Sequence, residues 1–345
     1  MSSVSRTDAP LRAKTVRGDL TDPSPPRTGP AAAPAPVRRR PGFWQRLWRD
    51  RILVLFALPG FLVLAIYHYL PVLGNVIAFQ DYRPYRGIRD SAWVGLENFR
   101  VITEGDPAFL NALANTLILT GLQAVLVFPA PIVLALLLNS LLSERIKRLV
   151  QSILYLPHFL SWVVVVALFQ QLLGGSGLLN SFLRSHGWDA LSIVGNPELF
   201  RPLLLAQVLW KDTGWATIIF LAALSAISAD LYEAAAVDGA GRWRQLVHVT
   251  LPGMKSVIIL LFILQLGTSL TVGFEQILLQ QNAVGLARSE VLDTYVYNRG
   301  VIGGDWGMAT AVGLVKSVVG VVLVLGANKL AHMFGEAGVY AAREK

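Results

Sequence analysis

Lys211, Asp212, Glu275 and Lys316 are charged side chains that fall inside long apolar runs of this 345-residue sequence. An unpaired charge deep in a bilayer costs at least ~2.5 kcal/mol, so each needs an opposite charge, a watery cavity or the interface. At 1.5 Å per helical residue, Asp212 and Lys316 fall at matching depths of about 12–15 Å, which allows a mutual ion pair. The alternative is that the run holding Lys211 and Asp212 begins later and leaves them at the surface, while Lys316 snorkels or faces an aqueous cavity. No bond-making set accompanies these charges. The absence of cysteine excludes disulfide scaffolds, thiolate metal sites, iron–sulfur clusters and covalently attached haem. His68, His158, His186, His248 and His332 include no pair at helix-face spacing. No nucleophile–base set or metal-ligand cluster stands out, so neither a metal site nor an enzyme is expected.

The elements that must hold these residues are membrane helices. Hydrophobic residues make up 54% of the chain and charged ones 15%, with mean hydropathy +0.52, which is not a soluble composition. Six runs, near 52–78, 113–138, 150–173, 203–227, 256–279 and 308–331, are long enough to cross a bilayer as helices, which takes about 20 residues. They are continuous rather than alternating, which argues against strands. Pro59, Pro71, Pro129, Pro131 and Pro157 lie in or beside them and are tolerated where neighbouring helices satisfy the freed backbone. The expected fold is all-α, a polytopic bundle of six transmembrane helices over 51–345.

Residues 1–50 read differently. Eight of the eighteen prolines fall in the first 42 residues, with few large apolar side chains, so a disordered basic tail is expected. Arg38, Arg39 and Arg40, then Phe43, Trp44, Arg46, Leu47, Trp48, Arg49 and Arg51, mix charge and aromatics as an interfacial segment does. Nucleic acid is the competing partner for that run and is not expected. No signal peptide is expected before it, since the first apolar run lies far from the N-terminus and is too long for one. The tail, 139–149, 228–255 and 328–345 together carry 20 basic and 10 acidic residues, against 8 and 10 in 79–112, 174–202 and 280–307. The first set is therefore expected inside, with both termini cytoplasmic.

The internal connection 228–255 is the most informative segment. Asp230 followed by Glu233 suggests a capping-box-like helix start, Ala234, Ala235 and Ala236 propagate the helix, and Gly239 can end it in a left-handed cap. Arg242, Trp243 and Arg244 open a second helical piece, and Leu251-Pro252-Gly253 marks the return to the membrane. A short rigid helix joining two spans could be gripped by a partner and pass on its movement. An ordinary capped loop helix has the same spacing.

Glu233-Ala234-Ala235, Asp238-Gly239-Ala240 and, after a spacer, Leu251-Pro252 resemble the signature loop of ATP-binding-cassette importer permeases. Asp81-Tyr82, Val94 through Phe99, Asn115-Thr116, Leu156-Pro157, Trp210-Lys211 and Gly307 with Ala309 are similar, in order, to features of the carbohydrate permeases. Asp293 through Tyr297 and Ala327 through Leu330 resemble the branch that imports oligosaccharides such as aldouronates and polygalacturonan fragments. The likeness runs from about residue 52 to the C-terminus, with a permease core near 108–331.

The resemblance implies a type I importer permease fold in the bacterial plasma membrane. It further implies a second permease subunit, homologous but different, two cytoplasmic ATPase subunits and an extracellular solute-binding protein that delivers sugar. It makes Glu233, Ala234, Ala235, Asp238, Gly239 and Ala240 the coupling site. ATP belongs on the partner, because Lys255-Ser256 and Lys316-Ser317 lack the preceding glycine of a phosphate loop. A sugar pathway needs hydrogen-bonding and aromatic side chains inside the bundle, and Trp210, Gln265, Thr268, Ser269, Thr271, Phe274 and Glu275 qualify. The same types also serve as interhelical contacts. The rival function, an ion-coupled secondary transporter or channel, would show inverted repeats, and none stands out.

Overall fold

The computed structural model describes residues 48, 50–141, 143–333 and 335. The basic and aromatic run from Arg38 to Leu47, and Arg49, lie outside the described residues, as do most of 1–50 and the last ten residues. The chain divides into two units, Met1–Val63 and Leu64–Lys345. In the first, helix α1 (Arg51–Leu64) carries Pro59 and buries no side chain. An apolar helix of that kind is solvated by lipid or by another subunit, not by water.

In the second unit the long helices are α2 (Pro107–Leu122), α3 (Pro129–Asn139), α4 (Glu144–Tyr155), α5 (Trp162–Leu173), α6 (Leu178–Ser185), α7 (Phe200–Ser225), α8 (Ala229–Val237), α9 (Leu251–Gly267) and, near the C-terminus, Trp306–Met333. Among the described residues five helical runs are long and apolar enough to cross a membrane: Arg51–Phe79, Pro107–Asn139, Trp162–Ser185, Arg242–Gly267 and Trp306–Met333. A sixth is reached when α7 is taken with α8, from which it is bent by 66°. Among the described residues one antiparallel ladder, β1 (Gln80–Asp81) with β2 (Ala92–Trp93), stands beside the helices.

Two of the expected spans differ from the helices found. The run 150–173 is not continuous: α4 ends at Tyr155, a tight turn Leu156–Phe159 follows, Leu160 is extended, and Ser161 caps α5 by accepting from the Val164 amide at 3.4 Å. Pro157 lacks the N–H that an unbroken helix needs there. The run 256–279 is displaced: the helix is already continuous from Arg242 and stops at Gly267. Beyond it Gly273 sits at φ 54°, a left-handed conformation that ends any regular continuation. Periodicity alone could not reveal either break, because both flanks stay apolar.

After Gly267 the chain folds back on the bundle through a run of short helices, among them α10 (Phe274–Leu278) and α11 (Leu292–Val296), before α12 (Trp306–Met333). Three clusters make the core. One joins Phe109 and Ala112 to Leu292, Tyr295, Met308 and Val312. A second joins Leu119, Phe200 and Leu204 to Val272, Ile277 and Val291, and a third gathers Ala135, Phe220, Leu224 and Met254 at the end nearest α8. The returning segment is thus part of the core rather than a loose loop.

Candidate functional site

The segment 228–240, expected from sequence to couple to a partner, is held at both ends. Ser228, not Asp230, is the N-cap of α8: its hydroxyl accepts from the Asp230 amide at 3.3 Å, which moves the expected start two residues upstream. Asp230 then lies in the first turn, where a carboxylate complements the helix dipole. At the other end Gly239 takes φ +74°, the Gly239 amide donates to Ala236 O at 3.0 Å, and the Ala240 amide donates to Ala235 O at 2.8 Å. That pair of bonds is a Schellman stop, and it requires the left-handed residue that glycine supplies at least cost.

The segment is also braced against residues 240–253, the stretch that leads into α9. The Tyr232 hydroxyl lies 3.1 Å from Thr250 Oγ1, and Gln245 Nε2 donates to Ala240 O at 3.1 Å. Gly253 leaves no room for a Cβ, which would sit 2.7 Å from Ile227 Cδ1, so the end of α7 and the start of α9 touch. The outward surface carries Leu231 at 54% exposure and Val237 at 88%. Glu233, Ala234, Asp238 and Gly239 are exposed, and Ala235 and Ala240 are half-buried. Apolar side chains presented on a rigid, water-side helix are the mark of a contact surface.

The polar residues expected on the pathway fall in more than one place. Gln265 and Thr268 line one cavity of about 230 Å³ with Thr120, Gln123, Ser269 and Thr271. Gln265 also borders a neighbouring space of about 220 Å³ that holds Asp212 and Thr213. Thr120 donates to Ser269 O, which fixes the unwound end of α9 against α2. Phe274 and Glu275 lie on α10, beyond the break; Phe274 meets the Tyr297 ring edge-on at 5.6 Å and Glu275 is exposed. Trp210 packs edge-on against Phe169 at 5.8 Å and lines neither cavity.

The expected ion pair between Asp212 and Lys316 does not form. Asp212 Oδ1 lies 2.9 Å from His158 Nδ1 and 3.9 Å from Lys211 Nζ. Lys211 Nζ donates to His158 O at 2.6 Å, and the His158 ring stacks on Trp215 at 4.7 Å. Lys316 instead pairs with Asp293 on α11. Both outcomes come from the breaks in the spans. The interruption before α5 delivers His158 and its carbonyl to Asp212 and Lys211, and the return of the chain after Gly267 delivers Asp293 to Lys316. Neither break shows in hydropathy.

Several buried polar groups escaped sequence reasoning. Gln207 on α7 exchanges amide hydrogen bonds with Gln280 at 3.0 and 3.1 Å, and Gln276 donates to Gln207 Oε1 at 2.7 Å. Amides can satisfy one another without net charge, which suits a dry helix interface. Asn115 Nδ2 donates to Glu290 O at 2.9 Å, and the Thr116 hydroxyl accepts from the Leu292 amide at 2.9 Å. Arg201 completes the group by donating to Asn115 Oδ1 at 2.7 Å. The Asn115-Thr116 feature is therefore the anchor for the returning segment. Tyr295 is a packing ring: burial first, then nearby carboxylates, push its phenol up to about 12.

Residues 127–332 match the family described as binding-protein-dependent transport system inner membrane component. The chain is 47% identical to the polygalacturonan/rhamnogalacturonan transport system permease protein YteP of Bacillus subtilis, over 86% of this chain and 92% of that one. It is 43% identical to the LplB protein of the same organism, over 85% and 92%. Among solved structures, a chain of a bacterial alginate ABC transporter, in complex with an alginate pentasaccharide-bound periplasmic protein, superposes with a TM-score of 0.78 at 36% identity, covering 86% of this chain and 99% of that one. By these matches and its apolar membrane helices, this chain belongs to the inner-membrane permease components of binding-protein-dependent ABC transport systems, a transport subunit of the bacterial membrane rather than an enzyme.

Proposed function

We propose that the chain forms half of the membrane pathway of an ATP-driven oligosaccharide importer, and that Ser228 through Ala240 is the surface a separate ATPase subunit grips. The observation that carries the coupling role is the capped, braced helix α8 with Leu231 and Val237 exposed. A rigid helix tied to α7 and α9 passes a partner's closure to the pathway, whereas a floppy loop absorbs it. Relatives named for polygalacturonan and alginate transport support a sugar chain as the cargo. The cavities that hold Gln265, Thr268 and Asp212 are the stretch of pathway on this chain.

The assembly has a second, homologous permease, two cytoplasmic ATPase subunits that bind the ATP, and an extracellular solute-binding protein. Both termini and α8 lie in the cytoplasm, and the segment between α9 and α12 faces outward. In cells lacking this chain, accumulation of radiolabelled oligogalacturonate should fall to background, return with the wild-type chain, and stay absent with Gly239→Asp although that variant reaches the membrane. Undiminished accumulation without the chain would overturn the reading.

A further inference from the structure

Helix α4 presents two unlike sides. Positions 147, 150, 151 and 154 share one side of a helix, and there Lys147, Val150, Gln151 and Leu154 are half-buried against the bundle. The chain enters α4 from α3, whose Ala135 packs with Phe220 and Leu224 near the end of α7. At the far end of α4, Leu154 meets α7 at Gly214, about 16 Å along the helix from its last residue, Ser225. Helix α4 thus runs from the membrane surface into the apolar layer.

The opposite side changes character along that path. Arg145 and Arg148 stand exposed at its start, and Leu149, Ile153 and, just past the helix end, Leu156 continue the same stripe at 62%, 61% and 66% exposure. Glu144 is answered by Lys147 at 3.8 Å, and neither arginine has an ion-pair partner among the described residues. The start of the stripe therefore carries two uncompensated positive charges. Arginines bind phosphate through charge-assisted hydrogen bonds, and a basic run beside a membrane helix attracts anionic headgroups. Cations at the surface with uncovered aliphatic side chains directly below them match the two ends of an anionic lipid. A soluble phosphate would use only the cations.

We infer that this side of α4 binds an anionic phospholipid, whose headgroup phosphate pairs with Arg145 and Arg148 and whose acyl chains lie along Leu149, Ile153 and Leu156. The site goes beyond the importer reading and does not depend on it, since it concerns the lipid held against the chain and not the cargo.

The absence of cysteine makes a single-cysteine test possible. A bimane label on Ile153→Cys reports the acyl chains beside α4. The same label on Val322→Cys reports an exposed position on α12 with no charged residue between 317 and 328. The chain, assembled with its partner subunits, is reconstituted in phosphatidylcholine vesicles that carry an equal mole fraction of phosphatidylglycerol or phosphatidylcholine brominated in the same acyl chains. Brominated phosphatidylglycerol should quench Ile153→Cys several-fold more strongly than brominated phosphatidylcholine, and the two should quench Val322→Cys alike.

Arg145→Gln with Arg148→Gln should remove the preference at Ile153→Cys, whereas Arg145→Lys with Arg148→Lys, which keeps the charge, should retain most of it. Unchanged quenching of Val322→Cys in both backgrounds reports correct insertion. With both arginines in place, added salt should weaken the preference, a readout that needs no further substitution. Excess glycerol phosphate should leave it intact, because that anion lacks acyl chains. Equal quenching of Ile153→Cys by the two lipids, a preference that survives both glutamines, or its loss to glycerol phosphate would overturn the site. Quenching by neither lipid would overturn it as well, by showing that another subunit covers this side of α4.

Discussion

The charges on α7 and α12 are explained by their partners. Lys316 and Asp293 are 16% and 19% exposed in their side chains, so removing one leaves the other buried and uncompensated. Breaking such a pair costs about 3–5 kcal/mol, whereas swapping both signs keeps the attraction. Lys316→Asp alone should therefore lower the amount of folded chain and abolish uptake, and Lys316→Asp with Asp293→Lys should recover a substantial part of both. The combination of Lys316→Asp with Asp212→Lys should recover neither, because Asp212 answers to His158 and Lys211. Measured transport and membrane-inserted protein in the three variants decide between the pairings.

The position of each charge was legible in the sequence, and its need for a partner was too. The partner was not, since Asp293 reaches Lys316 only after the chain has broken at Gly267 and turned back.

At the scale of elements, local signals were read well and breaks were not. The alanines and the glycine stop of α8 were visible because capping and propensity act over a few residues. Even there the start was off by two, as Ser228 is as good a cap as Asp230 and the structure uses it. Ser228→Ala should cost about 1 kcal/mol of local stability and reduce uptake without abolishing it. Gly239→Asp is harsher. No described residue lies within 4 Å of an added Cβ there, so within the chain its penalty is the left-handed backbone, about 1–2 kcal/mol, and the proposed ATPase contact would add to it.

Packing between elements gives a sharper contrast. A Cβ on Gly214 of α7 would run into the backbone carbonyl of Leu154 on α4. Backbone cannot step aside as a side-chain tip can, so Gly214→Ala should push the two helices apart. Lower thermal stability of the purified chain is the expected reading, and an unchanged melting temperature would show that the contact is not close in solution.

On the proposed reading one surface takes movement and the opposite one takes cargo, which makes orientation decisive. The assignment rests on 20 basic residues in one set of connections against 8 in the other. The exposed apolar side chains of α8 belong to the set of connections with more positive charge. The charge asymmetry is a property of the composition of the connections and does not depend on where each helix breaks.

Arg242 and Ala283 are both exposed and lie on opposite sides of the bilayer in this arrangement. In intact cells, an impermeant thiol reagent should label Ala283→Cys and leave Arg242→Cys untouched until the membrane is permeabilised. The reverse pattern would place α8 outside, away from any ATPase, and would remove the coupling role. Labelling of both sites in intact cells would mean a mixed orientation, in which the positive-inside signal of the connections is too weak to hold the chain one way round.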